Sequence, residues 1–411
     1  MKRVLIHSLI FSPDGVSTAY LYNDIALKLK EQGYDVVVLT ATPHFNLVPE
    51  LLAEQPLHWK VWGLCKVSNY KGIKVYHVPQ KKFKSTILRL IGFVYWHFIA
   101  LILGLCIRKV DLILSPSPPL TIGAINLILG KVKGCKVVYN VQEIYPDILK
   151  LKGGITLKFL SWMEKKVYNG SDAVTTIDQV FYDTIVDRFE DKSKLKIIPN
   201  FVDTELYHEY QWEGFWDSAV FPKNDKIKLL YAGNIGFAQD WDPLLALAEK
   251  TQDIEVEYIV IGEGAKREYL VEETERRKLR NVRILPYQPR SLMPAILSYS
   301  DVNFIFMAPE MDGDGFPSKV YTIMACERPL LVLSGENTPI VNFLKDKGCA
   351  KLVTEKDSQK KVDEMSDWLH RVTKDELREM GKRGLKTVQE KYAKEKVTSL
   401  YAGLVKELIG E

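Results

Sequence analysis

Two doubly wound α/β domains with a cleft between them are predicted by this 411-residue chain. Three observations carry the prediction. Short apolar runs alternate with helical patterns through the first half, which signals βαβ units and a parallel sheet. The pattern then restarts after Pro199-Asn200-Phe201-Val202-Asp203. The length itself fits two domains.

In the first half, strands are expected at Val4–Ser8, Asp35–Thr40, Ile73–Val78, Leu112–Ser115, Lys136–Asn140 and Ala173–Thr176, with a helix over Ser17–Gln32. Lys196–Pro199 closes that half. Ile227–Tyr231, Glu257–Ile261, Val282–Leu285, Val302–Ile305 and Leu330–Val332 supply the second set. Lys374 to Leu408 reads as surface helices with charged faces. The expected boundaries are residues 1–203, 204–390 and 391–411, the last being a helix able to pack back on the first domain. In such sheets ligands bind outside the carboxyl ends of the strands.

Three loops fall at those ends. Gly15, in Ser12-Pro13-Asp14-Gly15, would let a ligand approach the backbone, with Ser17 or Thr18 capping the helix that follows. Gly233, Asn234 and Gly236 repeat the arrangement at the start of the second domain, again directly before an expected helix. Gly262-Glu263-Gly264 ends another strand, with Lys266 either solvated or serving as a cation for a phosphate. Tyr287 ends a further strand and fits a place beside a nucleobase or in the core. The loop after the first strand is not G-x-G-x-x-G, so a nicotinamide or flavin dinucleotide is not supported.

The most informative stretch is Asp312–Pro329, DGDGFPSKVYTIMACERP. A glycine- and acid-rich turn (Asp314, Gly315) leads through Phe316 and Pro317 to Ser318-Lys319 at the start of a helix. Pro is tolerated in a first helical turn. Free N–H groups, a positive helix end and one Lys then meet at one spot, which is the chemistry of an anion site, phosphate above all.

Composition narrows the rest. With 46% hydrophobic and 26% charged residues the chain has a globular profile and a sizeable core. MKRVLIHSLIF is read as a first strand and not a signal peptide, since its apolar run breaks at Ser12-Pro13-Asp14. Five scattered cysteines argue for a reducing compartment and against a structural zinc. Net charge is +4, but residues 60–166 hold 18 basic and four acidic residues, which predicts an anionic partner. Thr86–Ile107 is apolar and long enough to span a bilayer. A full span is rejected because Ile73–Val78 and Leu112–Ser115 must share one sheet. Two placements stay open: a buried crossover helix, or an interfacial helix flanked by Lys81, Lys82, Lys84, Arg89, Arg108 and Lys109. Nucleic-acid binding by the basic half is the reading from a different class. The aromatics there cluster in Thr86–Ile107 and do not interleave with Lys or Arg, so it is set aside and no nucleic-acid partner is expected.

The chain resembles the retaining glycosyltransferases of family 4, with the GT-B fold of two Rossmann-like domains facing a central cleft, and within them the WbuB-like bacterial surface-polysaccharide branch. The resemblance rests on Asp14-Gly15, Glu143-Ile144-Tyr145-Pro146-Asp147, Pro199–Asp203, Gly233–Gly236, Gly262–Gly264 and Phe316–Ala325. It implies an N-terminal acceptor domain and a C-terminal donor domain. Gly315, Phe316, Pro317, Ser318 and Lys319 would line the diphosphate and ribose of a nucleotide sugar, UDP-linked by preference. Gly236 and Lys266 would reach its phosphates, and Gly15 would approach from the first domain. Glu143 would face the reacting sugar or acceptor. No metal is required. The implied acceptor is a glycan on a polyprenyl diphosphate at the inner face of the plasma membrane. A GT-B epimerase would share the nucleotide site. Departures from the family pattern are Asp314 and Thr322 in place of its two Glu residues, Glu327 where a Gly is common, and Gln142 where a His precedes the acidic residue.

Overall fold

The structure is a computed structural model that describes residues 1–45, 47, 49–60, 63–80, 85–150, 153–210, 220–311 and 316–410. The chain divides into two compact units, Met1–Asn200 with Glu395–Glu411, and Phe201–Lys394.

Unit 1 runs β1 (Arg3–His7), α1 (Ser17–Glu31), β2 (Asp35–Ala41), α2 (Pro49–Glu54), β3 (His58–Lys60), β4 (Cys65–Tyr70), β5 (Ile73–Val78), α3 (Thr86–Cys106), β6 (Leu112–Pro116), α4 (Leu120–Lys133), β7 (Lys136–Val141), α5 (Ile155–Gly170), β8 (Ala173–Thr176), α6 (Gln179–Ile185) and β9 (Leu195–Ile197). Its sheet order is β3-β4-β5-β2-β1-β6-β7-β8-β9. All neighbours pair parallel except β3–β4 and β4–β5, which are antiparallel. The chain moves one way from β1 to β2 and the other way from β5 through β8. Right-handed crossovers therefore put α1 on one face and α3, α4 and α5 on the other. The pleat agrees: Leu5, Val37, Leu39 and Ile113 pack with Trp96, Ala100 and Leu103 of α3 and with Leu129 of α4.

Unit 2 runs β10 (Ile227–Ala232), α7 (Asp242–Lys250), β11 (Val256–Ile261), α8 (Arg267–Arg276), β12 (Val282–Leu285), α9 (Met293–Tyr299), β13 (Val302–Phe306), α10 (Lys319–Ala325), β14 (Leu330–Leu333), α11 (Pro339–Leu344), β15 (Ala350–Val353), α12 (Ser358–Arg371) and α13 (Lys374–Lys391). The six strands are parallel in the order β12-β11-β10-β13-β14-β15. Alternate strand residues feed two cores. Leu229, Tyr258 and Phe304 face α7 and α12, whereas Leu230, Ile259 and Ile305 face α9, α10 and α11. The last helix, α14 (Lys394–Ile409), joins unit 1, where Glu395 pairs with Lys28 and Glu407 with Lys196.

α3 is buried in part and exposed in part. Trp96, Ile99, Ala100 and Leu103 are buried against the sheet, but Thr86 through Ile91 are exposed. Of the flanking cations, Lys81, Lys82 and Lys84 lie outside the described residues.

Candidate functional site

Both sheets reverse their winding direction at one point: between β1 and β6 in unit 1, and between β10 and β13 in unit 2. The crevice at such a reversal, outside the carboxyl ends, is where open α/β sheets bind ligands. The described residues among those singled out from the sequence lie along these two edges.

In unit 2, Lys319 is the first residue of α10, and Ser318 is its N-cap without a side-chain bond. Pro317 thus stands before the helix and not in its first turn, accepting a hydrogen bond from the Val320 N–H at 3.1 Å. The Lys319 ammonium crosses the switch point. It donates to the Ala232 carbonyl at 3.3 Å and lies 3.9 Å from the centre of the Tyr231 ring. Among the described residues no carboxylate pairs with it. Desolvation lowers its pKa to about 8, because an ammonium without water or counter-charge favours the neutral form.

The loop after β10 is shaped by backbone contacts. Gly233 N–H donates to Ile261 O at 2.9 Å, and Ile235 N–H to Glu263 O at 2.9 Å. Lys266 N–H donates back to Ile235 O at 2.9 Å. The loops after β10 and β11 are so close that a Cβ on Gly262 (φ 151°) would sit 1.8 Å from the Gly233 carbonyl oxygen. Gly236 is followed by a further loop, since α7 begins only at Asp242; the expected helix start at this glycine is corrected. The reason is local: Trp241 Nε1 donates to Gly236 O at 2.9 Å and Asp240 N–H to Phe306 O at 2.9 Å, which carries the chain past β13 before it coils.

Gly233, Asn234, Gly236, Lys266 and Lys319 therefore converge. The Lys266 ammonium lies over the rings of Phe237 (5.2 Å) and Tyr269 (4.8 Å), beside a pocket of about 310 Å³. Tyr287 follows the next strand and is 59% exposed, so it is not a core residue. Phe316 instead packs on Tyr321 and Phe343, at 5.1 and 4.7 Å between ring centres, anchoring the segment before α10. Thr322 spends its hydroxyl on the Lys319 carbonyl at 2.8 Å; with Lys319 it lines a cavity of about 140 Å³ beneath the switch point. Asp314 and Gly315 lie outside the described residues. Glu327, where a glycine is common, has φ 58°, the left-handed conformation of a helix C-terminus.

In unit 1, Gly15 N–H donates to Phe45 O at 3.3 Å. Asp14 fixes that loop: its carboxylate accepts from the N–H groups of His44 (2.9 Å) and Phe45 (2.7 Å). Neither Ser17 nor Thr18 caps α1; the N-cap is Val16, without a side-chain bond. Glu143 follows β7 at the same edge. Ser117 holds it, accepting from Glu143 N–H at 3.1 Å and donating to Glu143 O at 3.0 Å. Partial burial raises the pKa of the Glu143 carboxyl. Next to it, Gln142 and Asn200 exchange two amide hydrogen bonds at 2.9 and 2.8 Å. Ser117, Asn200 and Tyr231 escaped the sequence reading as site residues. Only their position within three residues of a strand end marked them.

Comparison with known proteins accords with this geometry. Residues 19–206 match the model of Glycosyltransferase Family 4, and residues 215–387 that of Glycosyl transferases group 1. The chain is 23% identical over 342 residues to WcaI of Escherichia coli (strain K12), named for colanic acid biosynthesis glycosyl transfer; the match covers 79% of this chain and 81% of that protein. Sucrose-phosphate synthase of Thermosynechococcus elongatus superposes with a TM-score of 0.74 at 13% identity, covering 99% of both chains. Anabaena HepE in complex with UDP-glucose gives 0.70 at 13% identity, over 99% of this chain and 100% of that one. The fold is GT-B, and the chain belongs to the family 4 glycosyltransferases.

Proposed function

We propose that the protein is a retaining glycosyltransferase of surface-polysaccharide synthesis. It moves a sugar from a nucleotide donor, UDP-linked, to a glycan on a polyprenyl diphosphate, working in the cytoplasm as a peripheral protein at the inner face of the plasma membrane. One observation carries the reading: a buried ammonium, that of Lys319, at the switch point of a doubly wound sheet, with a glycine-shaped loop against it. A diphosphate supplies the charge that Lys319 lacks. The UDP-glucose held by HepE and the colanic acid role in the name of WcaI support the donor and the pathway class.

In this reading the bond between the sugar's anomeric carbon and the diphosphate oxygen breaks. The acceptor hydroxyl attacks from the same face, and its proton passes to the departing phosphate oxygen. Lys319 and Lys266, with the N–H groups around Gly236 and Ser318, meet the charge that develops on the diphosphate. That charge is met by side-chain cations, so the reading requires no metal. Glu143 faces the reacting sugar or acceptor, and Gly15 approaches the donor from unit 1. Thr322 contributes to the ribose end.

The test is transfer from a panel of UDP-sugars to a polyprenyl-diphosphate-linked acceptor, with the product linkage read by NMR. One donor consumed, with its anomeric configuration kept in the product, is expected. An inverted linkage contradicts the mechanism, and a C2-epimerised sugar without transfer contradicts the activity.

A further inference from the structure

Unit 1 exposes two apolar ridges. On α3, Ile87, Ile91, Val94 and Phe98 are 71%, 58%, 59% and 60% exposed. They fall on one stripe at helical spacing, about half a turn from the buried Trp96, Ala100 and Leu103. On α5, Ile155, Phe159 and Trp162 are 88%, 52% and 57% exposed, again about half a turn from the buried Glu164, Val167 and Tyr168. Both outward stripes lie nine residues ahead of their buried ones, so both point away from the sheet. Phe159 and Trp162 stack at 5.9 Å between ring centres.

Their place in the fold gives the ridges meaning. α3 and α5 flank α4 on one face. Each follows a parallel strand, so its N-terminal half lies at the carboxyl edge. The ridges occupy those halves, at the edge that carries Gly15 and Glu143. The first half of α4 between them is mostly buried and recessed. A helix apolar on two opposite sides suits neither a soluble surface nor a single core contact. Lys158 and Lys166 on α5 are exposed beside its ridge. The two acidic residues of α5 and its approach, Glu164 and Asp147, are both taken by Arg188. The surface is thus apolar with a basic margin, which complements the interface of an anionic bilayer.

We infer that α3 and α5 form a two-pronged membrane dock, their apolar stripes entering the headgroup boundary of an anionic leaflet and setting the carboxyl edge of unit 1 against it. This rests on the lipid-linked acceptor proposed above and adds the surface that meets the lipid.

The experiment is co-sedimentation of full-length protein with phosphatidylglycerol/phosphatidylethanolamine vesicles and with phosphatidylcholine vesicles, at low and high salt. The variants are Ile155→Ser/Phe159→Ser/Trp162→Ser and Ile87→Ser/Ile91→Ser/Val94→Ser. Each triple variant is expected to keep its melting temperature and lose more than tenfold in binding to the anionic vesicles. Transfer to a vesicle-embedded acceptor falls in parallel, while transfer to a short-chain soluble acceptor is unchanged. An α5 variant that binds vesicles like the wild type overturns the dock. So does a wild-type dimer that the α5 substitutions dissociate, with no vesicle binding at all. Vesicle binding that follows the ridges in a protein without transfer to any acceptor would leave the dock standing and remove the proposed activity.

Discussion

Two lysines of unit 2 are drawn into the protein, and the fold treats them differently. Lys228, in β10, donates to the Asn224 carbonyl at 3.0 Å and the Lys226 carbonyl at 3.4 Å, with the Asp301 carboxylate adding opposite charge. Lys319, at the opposite edge of the same sheet, has one carbonyl at 3.3 Å and the face of Tyr231. Burial lowers both pKa values. Lys228 receives its counter-groups from the chain. Lys319 has no paired carboxylate among the described residues. A buried cation without a partner costs stability unless something pairs with it, so the difference fits the proposed binding role of Lys319 beside a structural role for Lys228.

The comparison depends first on the loop that seats Lys319. Gly262→Ala forces a Cβ onto the Gly233 carbonyl at a backbone angle that L residues rarely adopt. It is expected to lower stability by about 2–4 kcal/mol and to weaken UDP binding more than tenfold. Thermal unfolding and a UDP titration check both, and a variant unchanged in both breaks the loop geometry on which the comparison stands.

Next come the two lysines themselves. Lys319→Met is expected to weaken UDP binding by about 1.5–3 kcal/mol, the usual worth of a charge-assisted contact. It should also raise the melting temperature of the ligand-free protein, because it removes a desolvated charge. Lys228→Met should do the reverse, lowering stability by about 1–3 kcal/mol through its abandoned carbonyls while leaving UDP affinity alone. If the two variants behave alike, the distinction collapses.

The pH dependence follows from the same contrast. Lys319 titrates at about 8 in the free protein, and the ammonium is the form that binds. UDP affinity should therefore be flat below about pH 7 and fall toward tenfold per unit above 8, a dependence that Lys319→Met abolishes. Unliganded stability runs the other way. A lysine whose folded pKa is lowered holds fewer protons than in the unfolded chain, so its destabilising effect fades as pH rises from about 8 toward its ordinary value of 10.5.

The smallest effect concerns the turn after α10. Glu327 is left-handed, and Gly381 packs against its carbonyl oxygen. Glu327→Gly should stabilise by about 1 kcal/mol without changing UDP affinity, as chemical denaturation will show.

The parallel strands were readable because they are buried on both faces and so are continuously apolar. β3 and β4 were not, since Lys66, Asn69 and the exposed His58–Lys60 carry a half-solvated antiparallel pattern. Lys319 was readable as a candidate anion-site residue from its place between a proline and a helix. Its desolvation was not, because that depends on Tyr231 and Ala232, brought to it across a chain separation that no local pattern records. The same holds for Ser117 beneath Glu143. The outward stripe of α5 was hidden for another reason: Ile155, Phe159 and Trp162 share their stretch with Leu157 and Leu160, and only the buried face of the helix tells which side is left over.

If Lys319 takes its counter-charge from a diphosphate, UDP binding above pH 8 draws in a proton, as calorimetry at pH 8.5 in buffers of different ionisation enthalpy will show. Wild-type protein is predicted to take up roughly 0.7 of a proton and Lys319→Met none. Binding without uptake in the wild type, or equal uptake in both proteins, would contradict it.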